Sequence, residues 1–585
     1  MENLVAPTLS YKNDYFHLDV PSSYKHWNDV VNFYDNDETQ VNTINKVHNN
    51  IKVIYPDTYM SQFDLITLDW YEDFVIDEEA NNKMAYRASY VRTLSEPWRV
   101  IENNEDFFGY QWQTGRISEG DHKCVFINDG TGLGKTRSAL ACLENNFRLG
   151  PNLIICPKIA MDVWADEIQK VYPYADYIKI EGNQAERRLR LQHVEDVDFT
   201  IISYDLLIKH ISCRHWPKSK RLPAGELDQY QWNAVIADES HRIKNPKALR
   251  SRCAWTASVN ATRRIALSAT PITVDPQDLW SQWKFLSPKE FTSQSKFRER
   301  FLNCVKGWHG GIDCLGWKEL GEVHFNQLTG WRTTRRTFES VEVRNALKHM
   351  TVPEEGPLSV RMLDMGGVQE KAYDQMKEDL IISLQDWDGL GVAKNHLDKF
   401  IKLRQVASGM PVTDDEGKVV GMTHPSNKCE ALKGIVEDAD CNIVIFTEHS
   451  KVAGMIYRYL ESKVPDIMLT IITGDTRSAT RQAYIKDFQD NDNPKRILVC
   501  TSGTMSESVS LTNAGLLVFA QEPASMQQFV QCRGRVRRIG SNVVVPAISL
   551  RSKGTVEEQL AGKMSTKLEF LREYLVDMRD SYASN

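Results

Sequence analysis

Two doubly wound α/β domains, each a parallel sheet with helices on both faces, are the fold class this sequence predicts. Three observations point there. A chain of 585 residues is longer than one hydrophobic core usually serves, so several domains are expected. Short β-branched runs recur in two sets, each run followed by a more helical, amphipathic stretch. These runs are largely apolar without strict alternation, as suits strands buried on both faces. Composition agrees: 42% hydrophobic, 10% aromatic and 25% charged residues describe a globular chain and exclude a disordered or fibrous one.

In chain order, residues 1–100 form an acidic accessory segment with 8 basic and 16 acidic side chains and no motif. The first α/β domain is expected over 101–285, with strands VFIN at 125–128, LIIC at 153–156, FTIIS at 199–203, AVIAD at 234–238 and RIALS at 264–268. Residues 286–425 carry helical pattern, as in QEKAYDQMKEDLIISL at 369–384, broken by turns such as PVTDDEGK at 411–418, and predict a helical linker with protrusions. The second domain, 426–550, has NIVIF at 442–446, MLTIIT at 468–473, RILVC at 496–500, LLVFA at 516–520 and VVVPAISL at 543–550. Residues 551–585 close the chain; apolar residues at helical spacing without proline over 555–578 predict a C-terminal helix or helix pair.

The net charge of −7 offers no global basic field, and because residues 1–100 are so acidic, phosphate-handling surface is expected downstream. The eleven cysteines are odd in number and contain no C-x-x-C pair, which argues for reduced thiols. Cys304 and Cys314, with His309 between and His324 beyond, match no standard zinc spacing and read as buried or loop cysteines. The start of the chain lacks a basic stretch leading into an apolar core, and no apolar run approaches the roughly 18 residues that span a bilayer. A cytoplasmic or nuclear location, without secretion or membrane insertion, is the expectation.

The strand VFIN runs into Asp129, Gly130, Thr131, Gly132, Leu133, Gly134, Lys135 and Thr136, and the helical stretch RSALACLENNF follows. Strand, glycine loop and helix are the context a phosphate loop requires. Glycines let backbone N–H groups turn onto phosphates, Lys135 reaches the β- and γ-phosphates of ATP, and the Thr136 hydroxyl ligates magnesium (Mg2+). Asp129 stands where the usual motif has its first glycine. Asp238 and Glu239 end the run AVIAD, 103 residues beyond Lys135. Asp238 is expected to hold the metal, and Glu239 to orient and partly deprotonate the attacking water.

With D-x-x-G-x-G-K-T, D-E-S-H, S-A-T at Ser268–Thr270 and Q-x-x-G-R-x-x-R at Gln531–Arg538 in order, the chain resembles superfamily-two helicase-type motors. Its finer wording, DGTGLGKT, DESHRIKNPKA and QCRGRVRRIG, resembles the Swi/Snf family of DNA-translocating ATPases over residues 105 to 575. The resemblance implies two RecA-like domains. It further implies that Gln111 meets the adenine edge, that Gln531 lies in the nucleotide site, and that Arg535 and Arg538 reach ATP held by the other domain. A guanidinium forks onto phosphate oxygens, so such a pair would tie hydrolysis to domain closure. Candidate contacts to a nucleic-acid backbone are Lys158, Ser203, Tyr204, Thr447, Gly474, Ser502 and Thr512, all near ends of expected strands. The chain departs from the family in Ser268-Ala-Thr-Pro271 and in Ser506-Glu-Ser508, where a carboxylate replaces a glycine-rich stretch.

The function expected from this resemblance is an ATP- and magnesium-dependent motor on double-stranded DNA, remodelling protein–DNA complexes or branched DNA. A strand-separating DNA or RNA helicase and an inactive motor-fold scaffold are the alternatives. Residues 1–100 regulate the motor, bind a protein partner or cap the first domain. The length leaves no room for large appended domains, so a compact motor is expected.

Overall fold

The computed structural model describes residues 106–119, 123–211, 225–351 apart from 274 and 307–311, 354–385, 401–413, 419–490 apart from 466, 495–505, 510–539, 544–558 and 560. Before these it describes residue 7, residue 80 and five strands: β1 Thr8–Lys12, β2 Tyr15–Pro21, β3 Thr43–Val47, β4 Asn50–Pro56 and β5 Val75–Ile76, in sheet order β3-β4-β2-β1-β5. The chain divides into two compact units. One is Met1–Asp129 with Lys135–Arg336; the other is Gly130–Gly134 with Thr337–Asn585.

The first unit is built on a seven-stranded sheet of order β14-β6-β11-β10-β7-β9-β8. Its strands are β6 Cys124–Ile127, β7 Asn152–Cys156, β8 Tyr177–Ile180, β9 Phe199–Ser203, β10 Trp232–Asp238, β11 Ala261–Leu267 and β14 Thr333–Thr334, all paired in parallel. Between and after them run helices α1 Gly109–Ile117, α2 Lys135–Ala141, α3 Met161–Val171, α4 Gln184–Leu191, α5 Tyr204–His210, α6 Leu249–Val259, α7 Asp278–Leu286, α8 Gln294–Phe301 and α9 Gly321–Thr329. Every residue of β6, β7, β9 and β10 is buried, which is why their sequences are mostly apolar and do not alternate. Ile154, Ile236 and Ile265 sit side by side in register and share a core with Trp164 and Ile168 of α3. Local signals fix the helix starts: Ser203 accepts from the Leu206 N–H, and Asn183 with Glu186 forms a capping box.

The second unit has a six-stranded sheet of order β15-β22-β21-β18-β20-β19, again parallel. Its strands are β15 Leu358–Leu363, β18 Ile443–Thr447, β19 Met468–Ile472, β20 Arg496–Thr501, β21 Leu516–Phe519 and β22 Ala547–Ser552. Its helices are α10 Val341–Ala346, α11 Gly367–Gln385, α12 Asn427–Asp438, α13 Ser450–Lys463, α14 Ser478–Phe488, α15 Ser502–Met505 and α16 Met526–Arg533. Ile443, Ile445, Ile497, Val499 and Val518 pack with Leu432 of α12 and Val452, Ile456 and Leu460 of α13. Two parallel-sheet domains with flanking helices are thus present.

Residues 286–425, read from sequence as helical, hold more strand than that. They contain an antiparallel hairpin, β12 Leu302–Lys306 with β13 Ile312–Trp317, and a second pair, β16 Met410–Thr413 with β17 Val419–Thr423. They also supply β14 to the first sheet and β15 to the second. The expected final strand begins only after Pro546, whose ring supplies no donor to a ladder. At the C-terminal end, residues 556–558 and 560 are helical; the rest of the helix expected to 578 lies outside the described residues.

Candidate nucleotide and nucleic-acid site

The geometry begins with strand order. In the first sheet β6 and β10 flank β11, and parallel pairing puts their C-terminal ends on one edge. That edge is where open α/β sheets present ligand-binding loops. The phosphate-loop sequence leaves β6, and Asp238–Glu239 ends β10, so one strand separates the loop from the acids.

Gly132 and Gly134 have φ of +90° and +73°, a region in which a Cβ is strained, so glycine is required at both. Lys135, first residue of α2, donates from Nζ to the Asp129 carbonyl oxygen at 3.1 Å, which folds the ammonium back over the loop's base. Asp129 has a structural answer for its departure from glycine. Its side chain is fully buried, with Oδ1 accepting from the Arg336 backbone N–H at 3.0 Å and Oδ2 from Arg336 Nη1 at 3.3 Å. Arg336 also donates to Thr114 Oγ1 at 2.8 Å and to Gln113 Oε1 at 2.9 Å, joining β6, α1 and the segment after β14. Sequence reasoning did not find Arg336.

Gln111 is buried at the third position of α1, and its Oε1 accepts from the Phe108 N–H at 3.1 Å. The amide therefore fixes the start of its own helix. Burial drives the neighbouring Tyr110 hydroxyl well above its ordinary pKa, with the Asp129 carboxylate adding to the effect, so it stays protonated.

Asp238 accepts from Trp164 Nε1 on Oδ2 at 2.9 Å, while its carbonyl oxygen accepts from the Tyr204 hydroxyl at 2.8 Å. Trp164 and Tyr204 are themselves buried, so the carboxylate is aimed by core side chains. Glu239 adopts the left-handed region at φ 51°, ψ 53°, a conformation that costs an ordinary residue about 1–3 kcal/mol. Its Oε2 lies 3.3 Å from His241 Nδ1, which is 3.2 Å from Ser268 Oγ, and that hydroxyl accepts from the Thr270 N–H at 3.2 Å. Ser240 and Gln282 complete the link: Ser240 Oγ donates to Gln282 Oε1 at 2.8 Å, and Gln282 Nε2 to the Pro271 carbonyl at 2.7 Å. The D-E-S-H and S-A-T-P stretches are one hydrogen-bonded network.

Whether these residues suit a magnesium ion is a question of donor chemistry. The Asp238 carboxylate and Thr136 hydroxyl are hard oxygen donors, and magnesium takes one or two such ligands from protein and the rest from water and phosphate. They fit.

With that edge described, the comparisons are specific. A model of the SNF2-related domain matches residues 41–409, more than half the chain, and one of the helicase conserved C-terminal domain matches 427–540. The chain belongs to the SNF2-related family. A probable chromatin-remodeling complex ATPase chain of Oryza sativa subsp. japonica is 24% identical over 502 residues, covering 82% of this chain and 41% of the relative. The ISWI chromatin-remodeling complex ATPase ISW1 of Saccharomyces cerevisiae is 23% identical over 460 residues, covering 76% and 38%. The SNF2-related chain thus spans about two fifths of the length of these curated relatives. The Sulfolobus solfataricus SWI2/SNF2 ATPase core in complex with double-stranded DNA is 22% identical, covering 82% of this chain and 94% of that one, with a TM-score of 0.35.

In the second unit of this SNF2-related chain, α16 carries the arginine-rich end and sorts its members. Arg533 pairs with Glu355 at 2.7 Å and donates to the Gly356 carbonyl at 2.6 Å; Arg537 pairs with Glu339 at 3.0 Å and stacks over Phe338. Arg533 braces the segment leading to β15, and Arg537 the turn before α10. Arg535 is buried just beyond α16, its carbonyl accepting from the Leu511 N–H, while Arg538 is half-buried; Gln531 is buried within α16.

The candidate backbone contacts divide by burial. Lys158 and Gly474 are exposed, and Thr512 is half-buried with its hydroxyl 3.4 Å from Gln489 Oε1. Ser203, Tyr204, Thr447 and Ser502 are buried, with their hydroxyls bonded inward. Ser203 caps α5, and Tyr204 holds the Asp238 carbonyl. Thr447 Oγ1 reaches the His449 and Cys500 carbonyls, and Ser502 Oγ donates to the Thr447 carbonyl at 3.2 Å and to Glu448 Oε2 at 3.0 Å. The carboxylate of Glu507 lies outside the described residues.

Cysteines 124, 142, 156, 253, 429, 500 and 532 are buried, but Cys304 and Cys314 are half-buried in the strands of a hairpin, not in core or loop. Among the described residues no group of three or more His, Cys, Asp and Glu side chains is arranged to hold a metal, and no helix is long and apolar enough to cross a membrane.

Proposed function

We propose that this chain is an ATP-driven motor that translocates on double-stranded DNA and remodels protein–DNA complexes or branched DNA. The observation that carries the proposal is the braced edge of the first sheet: a lysine-bearing glycine loop anchored through Asp129–Arg336, one strand away from Asp238–Glu239. Membership of the SNF2-related family, and relatives named as chromatin-remodeling ATPases, support it.

In this reading Lys135 leaves the Asp129 carbonyl for the β- and γ-phosphates, and the loop's N–H groups hold the phosphate chain. Thr136 and Asp238 would hold magnesium, which when bound neutralises charge developing on the phosphates. Glu239, fixed by its left-handed backbone and by His241, orients the attacking water and accepts its proton. Arg535 and Arg538 stabilise the charge that develops in the transition state. Lys158, Gly474 and Thr512 contact the DNA backbone, with no sequence preference. Residues 1–100 serve as a regulatory or partner-binding segment.

Phosphate release measured side by side with duplex DNA, single strands, forks and RNA tests the reading. Stimulation should be greatest with duplex or branched DNA and should weaken as salt rises, because neutralising phosphates releases counterions. Equal rates with and without every nucleic acid would refute it.

A further inference from the structure

We propose that Cys304 and Cys314 form a reversible disulfide that staples the β12–β13 hairpin of the first unit. The two residues are direct partners across an antiparallel ladder, and their Sγ atoms are 2.9 Å apart. The ladder shifts register between Asn303 and Cys304, and closing the bond needs the two sulfurs to approach by a little under about 1 Å, a movement within reach of a side-chain adjustment. Both thiols are half-exposed, unlike the buried cysteines of the two cores, so a small soluble oxidant reaches them first. The hairpin is closed at its base by the Lys318 N–H donating to the Phe301 carbonyl, and Cys314 Sγ donates to Gln277 Oε1 at 3.6 Å, a group that also accepts from Arg298. The pair therefore sits where the hairpin joins the start of α7.

The oxidant is a low-molecular-weight disulfide such as oxidised glutathione, and the chemistry is two exchanges. The Cys304 thiolate attacks one glutathione sulfur, the glutathione S–S bond breaks, and one glutathione leaves as a thiol. Cys314 then attacks the mixed disulfide at the Cys304 sulfur, loses its proton as the new bond forms, and releases the second glutathione. Two electrons and two hydrogens pass from the cysteine pair to glutathione. Burial and the neighbouring Cys304 thiol push the Cys314 thiol up to about 12, so Cys314 stays protonated at neutral pH and the ring closes only as its proton leaves.

The test uses the full chain equilibrated in mixtures of oxidised and reduced glutathione, quenched by alkylation, digested and weighed. The expected product is an intact chain lighter by two hydrogens with a peptide linking Cys304 to Cys314, reversed by excess reduced glutathione. Cys314→Ser should instead trap glutathione on Cys304. Amide hydrogen exchange over 302–306 and 312–317 should slow by about tenfold or more in the oxidised wild type and not in either serine variant. Stable glutathione adducts on both cysteines of the wild type, or both thiols still open to alkylation when Cys441 has been oxidised, would overturn the proposal.

Discussion

Replacing Arg336 by methionine should damage the phosphate loop, although Arg336 lies 207 residues from Asp129 and outside every nucleotide motif. The substitution removes the guanidinium and its bonds to Asp129, Thr114 and Gln113, and leaves a fully buried carboxylate with the backbone N–H of residue 336 as its remaining partner among those four bonds. Breaking a buried pair from one side costs about 3–5 kcal/mol, because the surviving charge stays desolvated. At about 1.4 kcal/mol per decade, that is enough to depopulate the ordered loop by about two to three and a half decades if none of it is relaxed. Fluorescent-nucleotide titration should show ATP affinity weakened by at least about tenfold, since the apparent constant scales with the competent fraction. Hydrogen exchange should quicken over α1 and β6. Adding Asp129→Asn to the methionine variant removes the stranded charge and should recover part of the loss, a positive coupling that distinguishes a charge effect from a packing effect. An Arg336→Met protein with wild-type ATP affinity and unchanged exchange in both elements would refute this account of Asp129.

Two further outcomes follow from the same structure. Lys135→Ala should abolish nucleic-acid-stimulated turnover in a phosphate-release assay, and normal turnover would contradict the phosphate-loop assignment. His449 is held down to about 4 by burial first, then by Arg404, Lys428 and Lys451, whereas an unfolded histidine takes up its proton near 6.5. The unfolded chain therefore binds the extra proton between those values, so stability is full above about pH 6.5 and falls as the pH drops toward 4. His449→Gln should flatten that fall in urea midpoints for the second unit, and identical pH slopes for the two proteins would count against it.

Much of the fold was legible because its central strands are buried on both faces and must be apolar throughout. Val125–Ile127, Leu153–Cys156 and Ile443–Phe446 announce themselves in a single string. Within the two parallel sheets, the strands that escaped notice lie at edges or are very short. Leu358–Leu363 is largely exposed and mixes serine and arginine with its apolar residues, Tyr177–Ile180 is mostly half-buried, and Thr333–Thr334 has two residues. Site chemistry was legible where it is local, as in the glycine loop and the Asp238–Glu239 pair. Arg336 was not, because nothing in the string around it names a partner so distant. His241 and Ser268 stood within the D-E-S-H and S-A-T motifs, but the bond between them was not legible. Sequence also cannot tell a strand-end hydroxyl that faces solvent from one that bonds inward, and Tyr204, Thr447 and Ser502 are of the second kind.

The central proposal is that Lys135, Asp238 and Glu239 act with Arg535 and Arg538 on one ATP. Parallel measurement of ATP binding and DNA-stimulated hydrolysis by Arg535→Ala tests it most directly. The account predicts nearly unchanged binding with hydrolysis severely reduced, as for a contact made in the transition state. Loss of binding with the maximal rate preserved, or no change in either, would contradict it.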